Sequence, residues 1–283
     1  MTQLPEKVGV LGGGRMGAGI AHGFLINGSD VHVVERDEQS AAAARQRIDS
    51  SVAKSIERGM LDANLDEVTQ RLTVGVDRKA FADCQLVVEA VPEDFDLKVT
   101  TLKIVEGFVP ETTYIASNTS SLSVDKIGAE LKRPENFIGL HFFNPVPASK
   151  LIEVVVGEKT SEALATAAKG WVEGLKKTAV VVKDAPGFAS SRLGVAIALE
   201  AMRMVEEGVA SAEDIDNAMV LGYGHAAGPL KTTDIVGLDV RLGISEYLHS
   251  TLGESFAPPQ ILKDKVAKGE LGRKSGKGFY DWS

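Results

Sequence analysis

The segment Gly12-Gly13-Gly14-Arg15-Met16-Gly17 constrains this chain more than any other stretch of it. It matches G-x-G-x-x-G, follows the short apolar run KVGVL, and opens an Ala/Gly-rich stretch that ends at Gly28. Strand, glycine turn and helix in that order form a dinucleotide-binding fingerprint. Gly12 permits the tight turn, Gly14 lets a pyrophosphate approach the backbone, and Gly17 lets the helix pack close to the sheet. The N–H groups of the helix start, at Arg15 and Met16, then point at the phosphates. Without the flanking strand and helix, the same letters would describe a glycine-rich surface turn. Glu35 closes the next strand-like run, DVHVV, where a carboxylate hydrogen-bonds the ribose 2′-OH of NAD and repels the 2′-phosphate of NADP. That favours NAD, although the neighbouring Arg36 is a residue type that accommodates a 2′-phosphate.

The alternation of strand and helix signals continues well beyond the loop. Strand-like runs recur at 72–76, Leu86–Glu89, Tyr114–Ser117, 137–140, Leu151–Val156 and 178–182, with helical patterns at 16–27, 40–59 and 62–71 and between many of the later runs. This rhythm implies a Rossmann-type, mostly parallel sheet with helices on both faces. It stops at DAPGF (184–188); beyond that the patterns are helical, at 189–207, from the SAED signature at 211–214, at 232–252 and at 259–268. The expected organisation is an α/β domain over 1–185 followed by an all-helical domain over 186–283.

Composition narrows the function classes. Of 283 residues, 44% are hydrophobic and 25% charged, enough apolar content for two cores. The net charge of −8 argues against nucleic acid as a partner, and an anionic ligand would need a local positive patch. One cysteine, Cys84, excludes a disulfide framework and any zinc site with two thiolates; no metal is expected. No run of 18 apolar residues occurs, so no membrane span is expected. Residues 1–7 are too short and polar for a signal peptide, and a cytoplasmic location is expected.

Alcohol oxidation by NAD requires a base for the hydroxyl proton. His141 lies at the C-terminal end of a strand-like run, where open α/β sheets bind ligands, and imidazole titrates near neutrality. Asn144-Pro145-Val146-Pro147 then turns the chain back into LIEVVV. Glu153, flanked there by apolar residues, is an odd carboxylate unless it has a partner. A His141–Glu153 pair would orient the ring and stabilise the imidazolium. Taken alone, His141 could equally be a satisfied core histidine.

Five runs occur in order: SNTSSLSV (117–124), GLHFFNPVPASKLIEVV (139–155), DAPGFASSR (184–192), GPLKTTDIVGLD (228–239) and GRKSGKGFYDW (272–282). With the glycine loop, they make essentially the whole chain resemble the L-3-hydroxyacyl-CoA dehydrogenases, including the bacterial 3-hydroxybutyryl-CoA dehydrogenases. The resemblance implies NAD-dependent oxidation of a (3S)-3-hydroxyacyl-CoA, with His141 as acid/base and Glu153 supporting it. It implies that Ser120 holds the substrate's 3-oxygen, that Asn144 lies near the nicotinamide ribose, and that Glu93 and Lys98 contact the cofactor. Lys274 falls in a Gly-rich tail that folds toward the nicotinamide in the family; by itself it reads as a flexible basic terminus. Ser51, Lys54 and Arg58 share one helix face and match the family helix that contacts coenzyme A, which would supply the positive patch. The resemblance also implies a homodimer through the helical domain, and the helix at 193–205, apolar nearly all round, agrees with it. One departure stands out: Ser191 occupies the position of a family asparagine thought to bond the substrate near the reacting carbon. Two other readings stay open at this point, a dehydrogenase of a free hydroxy acid or sugar acid and a non-catalytic binding protein on the same scaffold.

Overall fold

The computed structural model describes residues 4–283, and the chain divides into two compact units, the second being Pro186–Ser283. The first unit is built on one eight-stranded sheet in the order β3-β2-β1-β4-β5-β6-β7-β8. The strands are β1 Lys7–Leu11, β2 Asp30–Val34, β3 Leu72–Gly75, β4 Leu86–Glu89, β5 Tyr114–Ser117, β6 Phe137–Phe142, β7 Leu151–Val156 and β8 Thr178–Lys183. Every neighbouring pair is parallel except β6 and β7. The order turns outward in both directions from β1 and β4, so the carboxyl ends of these central strands open a crevice of the kind that binds dinucleotides.

The helices of this unit are α1 Arg15–Ile26, α2 Glu38–Glu57, α3 Leu65–Thr69, α4 Phe95–Glu106, α5 Val124–Ala129 and α6 Glu162–Gly174. Their starts are set by local chemistry. Asp37, Asp94 and Ser161 each accept a hydrogen bond from a backbone N–H of the helix they cap. α3 is shorter than the reading over 62–71 because Asn64 caps it, accepting from the Asp66 N–H. β6 runs two residues past the expected 137–140, because β7 pairs back along it as far as Phe142. The sheet's core is aliphatic: Val8, Val10, Val31, Val33, Leu86 and Val88 are at most 1% exposed.

His22 of α1 is buried against α2, its Nε2 2.8 Å from the Ser55 hydroxyl, and burial lowers its pKa from 6.5 to about 4. The unfolded chain therefore binds a proton that the folded chain refuses between those two pH values. Stability should fall as pH drops from about 6.5 to about 4, by on the order of 3 kcal/mol once it is below both. Denaturant midpoints measured across that range check this, and the slope should flatten in His22→Gln.

A second cluster lies away from the crevice. His32 of β2, Asp83 and Cys84 bring potential donor atoms within 4.8 Å of one another. Lys7 already neutralises Asp83, and burial pushes the Cys84 thiol up to about 12, so it stays protonated.

The second unit consists of α7 Ser190–Glu206, α8 Ala212–Tyr223, α9 Pro229–Val236, α10 Leu238–Leu252 and α11 Gln260–Ala267. Val195, Leu199, Met202, Leu230, Leu238, Leu248 and Leu262 form its core. The single helix expected over 232–252 is two helices. Gly237 breaks it at φ +109, and Pro229 supplies the first turn of α9. The C-terminal segment is fastened rather than loose. Buried Asp234 accepts from the Phe279 and Tyr280 N–H groups and from Trp282 Nε1, at 2.8–2.9 Å. Tyr280 Oη donates to Asp216 at 2.7 Å. A Cβ at Gly278 would sit 2.2 Å from the Asp234 carboxylate, so the close approach requires glycine. This corrects the reading of a flexible basic terminus.

Candidate active site

The residues of the candidate site gather at the carboxyl ends of β1, β2, β4, β5 and β6. At the end of β1, the Gly12 N–H bonds the Val34 carbonyl and the chain turns at φ +90. A Cβ at Gly17 would lie 1.7 Å from the Gly12 carbonyl oxygen, so α1 packs on the loop at a distance only glycine allows. A Cβ at Gly14 would meet nothing within 4 Å, and Gly14 and Arg15 are exposed, with Met16 half-buried. No side chain caps the start of α1 and no acidic residue occupies its first turn. The helix thus presents unsatisfied N–H groups to an open space, which fits a pyrophosphate. Glu35 is already placed beside this loop, accepting from the Gly13 N–H at 2.7 Å. Arg36, the residue that left NADP open, is drawn aside to Asp37 at 3.0 Å.

A buried ionic network lies under the next loop. Lys98 and Glu89 are 1% and 0% exposed, with Nζ 2.7 Å from Glu89 Oε1 and 3.3 Å from Glu93. Glu89 also accepts from Ser117 Oγ and from the Val91 N–H. Glu93 in turn accepts from Thr119 Oγ1 at 2.6 Å and from the N–H groups of Ser120 and Ser121 at 2.8 and 3.0 Å. Burial alone would raise the Glu93 pKa, but Lys98 and these hydrogen bonds hold it below its ordinary value. Ser120 is therefore presented by a loop fixed through Glu93. Read from sequence, Glu93 and Lys98 alone would pass for a solvated helix start; Lys98 is instead among the most buried side chains of the unit.

His141 and Glu153 are cross-strand partners in the β6–β7 register, both buried, with Nδ1 2.8 Å from Glu153 Oε2. The Phe143 ring tilts against the imidazole at 4.3 Å between centroids. Asn118 Oδ1 accepts from the Phe142 N–H at 2.9 Å, joining the serine loop to the histidine strand. The following turn carries exposed Asn144, in a cis peptide with Pro145, and Lys177 Nζ donates to the Val146 and Ser149 carbonyls.

The structure thus gathers Gly12, Gly14, Gly17, Glu35, Glu93, Ser120, His141 and Glu153 along one edge of one sheet. Ser51, Lys54 and Arg58 lie along α2 and just past its end. Lys54 and Arg58 are exposed and have no ion-pair partner among the described residues, while Ser51 Oγ turns back to the Arg47 carbonyl. Ser191 and Lys274 belong to the helical unit. Ser191 is half-buried in the first turn of α7, and exposed Lys274 is paired with Asp239 at 2.5 Å. Sequence reading missed Glu89, Ser117 and Asn118. The one available signal was a carboxylate ending the apolar run LVVE, which looks the same whether solvated or buried.

Residues 7–185 match the family described as "3-hydroxyacyl-CoA dehydrogenase, NAD binding domain", and residues 187–282 match its C-terminal domain. A probable 3-hydroxybutyryl-CoA dehydrogenase of Bacillus subtilis is 39% identical, over 98% of this chain and 97% of its own length. The mitochondrial hydroxyacyl-coenzyme A dehydrogenase of Sus scrofa is 36% identical over 99% of this chain and 92% of its own. The crystal structure of (S)-3-hydroxybutyryl-CoA dehydrogenase PaaH1 from Ralstonia eutropha superposes with a TM-score of 0.94, at 36% identity and 99% coverage of each chain. The chain belongs to the 3-hydroxyacyl-CoA dehydrogenase family, and its sheet unit is that family's NAD-binding domain.

Proposed function

We propose that this enzyme oxidises (3S)-3-hydroxyacyl-CoA to 3-oxoacyl-CoA, and reverses the reaction, through His141, Glu153 and Ser120. The buried hydrogen bond between His141 Nδ1 and Glu153 Oε2 carries the reading. With Nδ1 donating to Glu153, the ring presents Nε2 as the proton acceptor for the substrate hydroxyl. As the proton arrives, the Glu153 carboxylate faces an imidazolium instead of a neutral ring and stabilises it. Ser120, set by Glu93, donates to the 3-oxygen and orients it. NAD, when bound, supplies the acceptor for the hydride leaving C3. Gly12, Gly14, Arg15, Met16 and Gly17 seat its pyrophosphate and Glu35 its ribose. Asn144 and Lys274 are assigned to its nicotinamide end. Lys98 acts on the cofactor through Glu93, since its ammonium is buried between two carboxylates.

Mixing the protein with acetoacetyl-CoA and NADH tests the reading. NADH absorbance should fall at a rate that saturates with thioester. Turnover of a free hydroxy acid but of no CoA thioester would favour the free-acid reading instead.

Ser51, Lys54 and Arg58 are assigned to the coenzyme A moiety, because two exposed cations without acidic partners among the described residues suit its phosphates. Lys54→Ala and Arg58→Ala should each raise KM for the thioester several-fold at low salt, with kcat little changed. The effect should shrink as salt rises, because exposed phosphate contacts are screened. An unchanged KM in both would leave α2 as an ordinary solvated face.

The helical unit is assigned to homodimerisation. Its exposed apolar residues include Leu193 and Ile197, one turn apart on α7, with Leu221, Tyr223 and Ile235, and Leu221 is 83% exposed. α7 thus buries one face within its unit and leaves the apolar side chains Leu193 and Ile197 exposed on the other. Light scattering at micromolar concentration should give twice the 30.0 kDa of one chain. A cytoplasmic location fits a chain whose single cysteine is free and buried, and no described helix is long and apolar enough to cross a membrane.

A further inference from the structure

Residues 143–150 join β6 to β7, leading from the strand of His141 to the strand of Glu153, and they carry exposed Asn144 near their start. Their own bonds are local: the Ala148 and Ser149 N–H groups both donate to the Pro145 carbonyl. Two contacts fasten the turn from outside. Val146, 3% exposed, seats on α1 at Gly19, where a Cβ would lie 2.8 Å from Val146 Cβ. The helix that opens at the glycine loop and the turn that follows His141 therefore meet at a distance that glycine allows. The second contact is Lys177, just before β8. Its Nζ donates to the Val146 carbonyl at 2.7 Å and to the Ser149 carbonyl. Because β7 runs against β6 and β8 runs with β7, the start of β8 lies at the same sheet edge as the carboxyl end of β6.

A lysine is a costly choice for this place. Its side chain is half-buried, burial lowers its pKa from the ordinary value, and no carboxylate pairs with it among the described residues. What the ammonium supplies is several donors on one nitrogen, so one group clamps two carbonyls, and bonds from a charged donor are stronger than neutral ones. Its charge also reaches α1, where it adds to burial in lowering the His22 pKa. The ammonium thus holds the turn and stands beside the helix that the turn packs on. Phe143, the first residue of the turn, leans on the His141 ring, and Asn144 follows it directly. With the clamp gone, Val146 is the remaining outside anchor, and Phe143 and Asn144 are free to shift. The β6–β7 register would still keep Glu153 opposite His141.

We propose that Lys177 is a positioning residue for hydride transfer. By clamping the Val146 and Ser149 carbonyls it sets the spacing between α1, whose start is assigned to the pyrophosphate, and the turn that carries Phe143 and Asn144 beside His141. It acts through the turn and not by touching substrate or cofactor. This rests on the dehydrogenase reading above and adds to it a residue from the far side of the β6–β7 pair.

The test is acetoacetyl-CoA reduction by NADH in the wild type, Lys177→Met, Lys177→Gln and Lys177→Arg, each checked for fold by circular dichroism. Methionine keeps much of the length and loses every donor. Its kcat/KM for NADH should fall about ten- to a hundredfold, through kcat and KM together, because a small misplacement of reacting groups costs that much. KM for the thioester should stay within about twofold, since the cations assigned to it lie on α2. Lys177→Gln, shorter and uncharged, should fall between, and Lys177→Arg, which has donors for both carbonyls, should recover most of the loss. A folded Lys177→Met with wild-type kcat and KM for NADH overturns the inference. So does one whose KM for the thioester rises as much as its KM for NADH, the mark of a general loosening. Should Lys177→Met not fold, the other two variants decide, and equal losses in Lys177→Gln and Lys177→Arg overturn the inference. These outcomes leave the dehydrogenase reading intact. A wild type that does not reduce acetoacetyl-CoA overturns that reading and this inference with it.

Discussion

His141→Gln should lower kcat by ~10²–10⁴-fold while NADH still binds, because general acid–base catalysis is typically worth that much and the glycine loop is untouched. Glutamine keeps a polar group of similar reach but accepts no proton at neutral pH. Glu153→Gln should cost a similar order. Glu153 is fully buried and bonded to Nδ1, and the amide it becomes carries no charge to offset the imidazolium. The two losses should not add, because both act on one proton transfer, and the double variant should resemble the worse single one. Cofactor binding by fluorescence and steady-state kinetics on the same preparations separate this from misfolding. A loss in kcat below tenfold for His141→Gln would remove His141 from the reaction.

Lys98→Met should destabilise the fold by about 3–5 kcal/mol, the range for removing one partner of a buried ion pair. The cause is Glu89, which stays fully buried with its carboxylate facing no cation. Against the ~5–15 kcal/mol of a typical domain this is a large share. KM for NAD should rise as well, since Glu93 loses the cation that favours its charged form and the 119–121 loop loses its anchor. Adding Glu89→Gln should restore part of the stability, because the stranded charge is then gone. If chemical denaturation shows less than about 1 kcal/mol lost in Lys98→Met, or no recovery in the double variant, packing rather than charge holds the network.

The His141–Glu153 pair was legible in the sequence because it breaks a local rule. A carboxylate inside LIEVVV needs a partner, and a histidine closing the preceding strand across a short turn supplies one; the antiparallel register places them opposite each other. The glycine loop was legible because its roles are steric and local. Glu89 was not, since a strand-end carboxylate reads as solvated until the neighbours that bury it are known. Lys98 reads as surface for the same reason, and only packing converts it into an internal cation. The break at Gly237 was missed because one glycine within a helical pattern is tolerated more often than not; its φ of +109 is a tertiary fact, coupled to the Leu238 N–H bonding the Leu271 carbonyl.

The sequence by itself determined the features that depend on near neighbours. These are the order of strands and helices, the glycine turn between β1 and α1, the change to helices after the sheet, and the motifs that carry family membership. Tertiary structure alone decided which charges are buried and who answers them. Glu93 became the organiser of the Ser120 loop, Asp234 the clasp on residues 279–282, and Arg241 a buried cation whose Nε has no partner among the described residues. The physical reason is that backbone conformation responds to residues a few positions away. The free energy of a charge depends instead on every group within several ångströms, and sequences far apart bring those groups together.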